Sequence, residues 1–132
     1  QDGDLQGIFG QRFSATGAKL GGEFQINQYA AKNQRTPAVT ALANGNFAVA
    51  WVSELQRSTS SVDIYARVFN ASGDAIGNAF AVNPSSTNIC ANPAVAGSPQ
   101  GGFAVAWSQK DGTVLTDGFK VNEELGRHRA TV

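Results

Sequence analysis

The chain has no methionine, one cysteine and one histidine in 132 residues, and only 15% of its residues are charged, against about 25% in an ordinary soluble domain. A single cysteine, Cys90, excludes an internal disulfide and a zinc cage of thiolates. It is expected to be a packed thiol in the loop before Pro93, with an intermolecular disulfide as the alternative. The single histidine, His128, stands between Arg127 and Arg129, without the nucleophile or orienting carboxylate that a catalytic imidazole needs. It reads as part of a solvated strand or tail. Ten basic against ten acidic side chains exclude a basic nucleic-acid footprint and an acidic tail. No apolar run approaches the roughly 18 residues of a spanning helix, so no membrane insertion is expected. No charged segment followed by an apolar core precedes the first strand, which suits a mature chain or an excised piece.

What is present in excess is glycine, 15 of 132 residues, and its placement is periodic. Ile8-Phe9-Gly10-Gln11-Arg12-Phe13 returns as Ile64-Tyr65-Ala66-Arg67-Val68-Phe69, Pro37-Ala38-Val39 as Pro93-Ala94-Val95, and Phe47-Ala48-Val49-Ala50-Trp51 as Phe103-Ala104-Val105-Ala106-Trp107. Every offset is 56, and residues 8–53 against 64–109 give 16 identities in 46 ungapped pairs. A fixed internal period decides a fold more reliably than local propensity. The implied organisation is repeat 1 over 1–57, repeat 2 over 58–113 and a partial repeat 3 over 114–132, together one structural unit.

Within a period the runs are short, rich in β-branched and aromatic residues, and bounded by Gly, Asn, Ser or Pro. They predict four strands per repeat, near 7–14, 22–27, 37–43 and 46–53, then 62–70, 79–83, 93–97 and 102–109. Gly17 and Gly73, then Gly45 and Gly101, fall where hairpin turns need positive φ. No segment keeps a period of 3.6, so no helix is expected. In Phe47–Trp51 the large side chains take one face and two alanines the other. Neither face is polar, so such a strand is buried on both sides by stacked sheets. Four strands in 56 residues are too few for an immunoglobulin sandwich and match one blade of a propeller. The fold class is therefore all-β, with four-stranded antiparallel blade-like repeats, β-propeller-like and incomplete in one chain.

The pattern Gly7-Ile8-Phe9-Gly10-Gln11-Arg12-Phe13, Gly17, Gly21, Glu23-Phe24-Gln25-Ile26-Asn27, Gln34, Pro37-Ala38-Val39, Leu42, Gly45 and Phe47–Trp51 resembles a tandem repeat of large secreted bacterial proteins of the RTX and adhesin type. The resemblance covers nearly all of residues 2–109 and implies a secreted or cell-surface location. The second copy departs from it, with Ala66-Arg67-Val68 for Gly-Gln-Arg and Cys90 for the glutamine. In the third copy Val114–Asn122 align with Val62–Asn70 at an offset of 52, after a four-residue deletion, and Arg127–Val132 could add a strand. Ten strands cannot close a ring of at least four blades, and an exposed apolar repeat end drives association. The chain is expected to be a homo-oligomer or polymer.

Chemistry is sparse. Asp2 and Asp4 are the candidate calcium ligands, in a loop that lacks a twelfth-position glutamate; Asp63 and Asp111-Gly112 fall at the corresponding joints, and turn formation alone also explains an Asp-Gly pair. No cofactor is required by any motif. None of the ten acidic residues reads as one of two convergent carboxylates, and neither a Gly-x-Ser-x-Gly elbow nor a phosphate loop occurs, so no enzyme is expected. Sugar binding would use Trp51 with Glu54, Trp107 with Gln109, and Asn27 or Asn83. Against it, Trp51 and Trp107 share faces with core residues, and Asn27 and Asn83 suit turn caps. The sequence points to an extracellular self-associating structural or adhesive module. The alternatives are a propeller-type lectin that binds glycans between repeats, and a fragment of a larger secreted hydrolase or adhesin.

Overall fold

The computed structural model describes residues 5–85, 87–111 and 119–122. Its regular elements are all strands: β1 (Phe9–Phe13), β2 (Lys19–Gln25), β3 (Gln34–Ala41), β4 (Phe47–Glu54), β5 (Val62–Phe69), β6 (Phe80–Ala81), β7 (Asn88–Gly97), β8 (Phe103–Asp111) and β9 (Phe119–Asn122). Eight of them sit at the eight expected places. The main difference is at β3 and β7, which begin earlier than expected because pairing resumes on the far side of a bulge. The ladder of β3 with β4 is interrupted between Arg35 and Ala38, and that of β7 with β8 between Ala91 and Ala94. Proline cannot donate to a ladder and is tolerated at such bulges; Pro37 and Pro93 occupy them. Cys90 therefore lies within β7, where it is fully buried in the core, and not in a loop. Asp2, Asp4, His128 and the segment Arg127–Val132 lie outside the described residues.

Several backbone contacts recur at the 56-residue period. The Ile8 N–H donates to Asn27 Oδ1 at 2.8 Å, and the Ile64 N–H to Asn83 Oδ1 at 2.8 Å. Gln6 bridges Asn33 in parallel, as Val62 pairs with Ile89. Gly17 and Gly73 have φ of 82° and 91°, Gly45 and Gly101 of 84° and 92°, so the expected turn glycines occupy the backbone region only glycine enters cheaply.

The hydrogen-bonded sheets cross the repeat boundaries. β1 pairs only with β2, while a seven-stranded sheet runs β3-β4-β5-β7-β8-β9 with β6 on β5, and neither sheet closes. β4 and β5 pair antiparallel through eight positions, from Phe47 opposite Phe69 to Glu54 opposite Val62. β9 pairs with β8 with Phe119 opposite Ser108. Since Val52, the counterpart of Ser108, faces Ile64, Phe119 takes the place of Ile64 at an offset of 55, in contrast to the 52 expected from side-chain similarity.

Alternation along β4 produces two cores. Val49 and Trp51 join Tyr65 and Phe69 of β5 in packing against Ile8 and Ile26. Ala48, Ala50 and Val52 point the other way, onto Phe103, Val105 and Trp107 of β8. An alanine face thus meets the next repeat's aromatic face, and β4 is buried on both sides, with Ala48, Ala50 and Val52 wholly inaccessible. Each fully buried large side chain contributes roughly 1.5–3 kcal/mol. The backbones come close at Gly97, whose N–H donates to Thr40 Oγ1 at 3.1 Å and where an added Cβ would sit 2.3 Å from the Ala41 carbonyl oxygen.

Candidate functional site

Antiparallel registers gather the glycine turns at one end of the molecule and the loops 26–33, 55–61 and 82–87 at the other. The second end collects the polar side chains, and most of the candidate residues fall there. Asn27 is 4% exposed and Asn83 1%. Besides capping the Ile8 N–H, Asn27 donates through Nδ2 to the Tyr29 carbonyl at 2.9 Å and to Gln34 Oε1 at 3.3 Å, and Gln34 Nε2 donates to the Ala31 carbonyl at 2.8 Å. Asn83 donates to the Ser85 carbonyl and to Asp63 Oδ1, each at 2.9 Å.

The two repeats reach the same arrangement with different residues. Position 34 is glutamine and position 7 glycine in the first copy; the counterparts are Cys90 and Asp63 in the second. The acceptor that the asparagine amide needs comes from Gln34 in one case and from Asp63 in the other. Burying a carboxylate requires a cation, and Arg57 supplies it: Nε donates to Asp63 Oδ2 at 2.9 Å, and Nη2 to Oδ1. Burial pushes the Asp63 carboxyl up, but the Arg57 hydrogen bond, the Asn83 hydrogen bond and the Arg57 charge together outweigh it and hold the group below the ordinary aspartate value. Asp63 was weighed from the sequence as a joint residue near calcium-type loops; its oxygens face Arg57 and Asn83. Gln34 stands in the repeat pattern without an assigned partner, and no motif marks Arg57. The paired exchange of Gly7 and Gln34 for Asp63 and Cys90 is the signal that could have linked Gln34 with Asp63 as alternative acceptors; nothing comparable marks Arg57.

Glu54, at the end of β4, accepts from Arg35 Nε at 2.7 Å and from Asn33 Nδ2 at 3.0 Å. The Arg35 hydrogen bond lowers its pKa against the opposing effect of burial. Trp51 and Trp107 are each 1% exposed. Trp51 lies against Tyr65 with ring centroids 6.4 Å apart, and its Nε1 meets no acceptor among the described residues. Trp107 Nε1 donates to Gln109 Oε1 at 3.0 Å. The counterpart of Gln109 is Ser53, whose shorter hydroxyl instead donates to Gln56 Oε1. Trp51 and Glu54 therefore belong to different environments, an aromatic core and an ion pair, whereas Trp107 and Gln109 are joined directly.

Chemically this end is a set of satisfied caps and two arginine-neutralised carboxylates. Among the described residues, no three of His, Cys, Asp and Glu come together as ligands for a metal. Two open volumes stand out, one within the first repeat and one where the first and second repeats meet. One, of about 380 Å³, is an apolar groove beside β1 lined by Phe9, Gly10, Phe24, Val39, Phe47 and Val49 among others. The other, of about 430 Å³, lies among the glycine turns and is lined by Leu42, Val68, Ile76 and Phe103 with polar turn residues. Compared with known proteins, the chain matches no family model, no curated protein and no solved structure.

Proposed function

We propose that this chain is a non-enzymatic extracellular module that associates with itself through blade-like β-repeats and serves a structural or adhesive role. The observation that carries the reading is the layered packing of an alanine face on an aromatic face, coupled with apolar side chains left outside at the joints. Phe13 is 56% exposed and Val39 67%, yet their counterparts Phe69 and Val95 pack in or against the cores. Unmatched apolar surface of this kind drives association. Stacked repeats obtain their stability from the interfaces between them. The extracellular assignment rests on the resemblance of the repeat motif.

Sugar binding draws less support, since a stacking platform must reach the surface and both indoles are enclosed. Light scattering across a dilution series tests the main reading. The expected result is a particle of several 13.8-kDa chains; a stable single chain at every concentration would overturn it. A glycan-dependent change in tryptophan emission would transfer the assignment to the lectin reading.

A further inference from the structure

The geometry points to head-to-tail assembly of copies of this chain: β8 of one copy seats beside β1 in the groove of the next, and Phe13 of that next copy fills the pocket lined by Val68, Ile76 and Phe103 of the first. This rests on the self-association reading and specifies the two surfaces that meet.

The template is the joint already inside the chain. β8 is β4 moved by 56 residues, and β1 is β5 moved back by 56. β4 and β5 pair through eight positions with Ala50 opposite Ala66 and Val52 opposite Ile64. The same register between copies sets Ala106 opposite Gly10 and Ser108 opposite Ile8. β1 pairs with β2 on one side, and its other edge carries no strand among the described residues.

Both open volumes are explained by the same contact. Where the first and second repeats meet, three rings come together: Phe24 with Phe69 at 5.7 Å between centroids, Phe47 with Phe69 at 5.3 Å, and Phe24 with Phe47 at 6.4 Å. One repeat later Phe80 and Phe103 reproduce the last of these at 6.5 Å. The third ring has no counterpart there among the described residues, and the pocket of about 430 Å³ borders Phe103, though not Phe80. Phe13, the counterpart of Phe69, is exposed on β1. The groove beside β1 is lined by Val39, exposed, Phe47, half-buried, and the core residue Val49, on the side where their counterparts Val95, Phe103 and Val105 meet Ala48 and Ala50. The counterparts of those alanines are Ala104 and Ala106, half-buried on the outer face of β8. Each surface on one side of the chain therefore has its complement on the other.

β9 holds the β8 edge through four positions. An incoming β1 offers the longer register of the β4–β5 ladder and must displace it. The contact joins two different surfaces, so it propagates, and it closes into a ring where the rotation allows. Each copy then contributes β1–β8, two layers of four strands, and rings of roughly two to four copies span the range of four to eight blades.

The test uses full-length Phe13→Asp and Ala106→Arg variants, with Val39→Asp as a second groove variant, each checked for an unchanged β circular-dichroism spectrum. Each alone is expected to run as a single chain. An equimolar mixture of Phe13→Asp and Ala106→Arg retains one intact pair of surfaces and is expected to give a two-chain particle. If the wild type associates and these variants keep its mass, the proposal is overturned while self-association stands. A wild type that is itself a single chain overturns both.

Discussion

At the scale of single residues, the buried polar end shows how one backbone arrangement can be satisfied by different side chains. Asn27 and Asn83 cap equivalent strand N–H groups, and the acceptor for their amides changes from a neutral glutamine to a carboxylate. That exchange makes the second repeat pH-dependent. Because the folded Asp63 pKa lies below its ordinary value, its contribution is fully present above about pH 4 and is lost as pH falls through the depressed folded value. Asp63→Asn is expected to cost about 2 kcal/mol near pH 7, the scale of hydrogen bonds to a charged group. It should also flatten the decline in stability below pH 4. Urea midpoints measured from pH 7 to pH 2 check this, and parallel acid limbs for wild type and variant would refute it. Glu54, lowered by Arg35, retains part of the slope.

At the scale of elements, the bulges in β3 and β7 hold two of the four non-glycine residues with positive φ among the described residues. Thr36 and Asn92 occupy equivalent positions with φ of 55° and 53°. A β-branched residue is unfavourable in the left-handed region, whereas asparagine is among the non-glycine residues found there most often. Thr36→Asn is expected to raise stability by roughly 0.5–1 kcal/mol, part of the 1–3 kcal/mol that such conformations cost. Its midpoint in urea at fixed protein concentration should rise, and an unchanged or lower midpoint would show that the bulge is not strained by the threonine. The strands, hairpin glycines and face alternation of β4 and β8 were legible because period-2 patterning and turn chemistry are local properties. The start of β7 was not, because a strand that pairs on both sides of a bulge has no unbroken local pattern. The sequence pattern around Cys90 therefore reads as a loop, while its buried, packed character is legible from the lone thiol itself.

At the scale of the whole molecule, stability depends on how closely successive repeats approach. Gly97 has no Cβ where the Ala41 carbonyl oxygen lies, so Gly97→Ala must move β7 away from β3. A loss of about 1–3 kcal/mol, the usual cost of overpacking, is expected in thermal unfolding; an unshifted transition would show that this approach yields freely. The candidate site divides at this scale. Trp107 and Gln109 were legible as a pair because two residues along a strand share a face. Trp51 and Glu54 are three apart in the chain, take opposite faces and separate. Arg57 with Asp63, and Asn27 with Gln34, could not be paired from one copy alone, since loops of unspecified path connect them.

The sequence by itself determined an all-β chain with a 56-residue period, turns at defined glycines and strands apolar on both faces, because these follow from local sterics and side-chain alternation. Only the tertiary structure decided that the ladders cross the repeat boundaries and that each alanine face meets the next aromatic face. It also decided which polar groups neutralise one another, and that Phe13 and Val39 stay outside while their counterparts are packed. Strand partners and buried charge pairs are chosen by the path the chain takes between them, whether six positions as from Arg57 to Asp63 or nineteen as from Arg35 to Glu54, and no local pattern encodes that path.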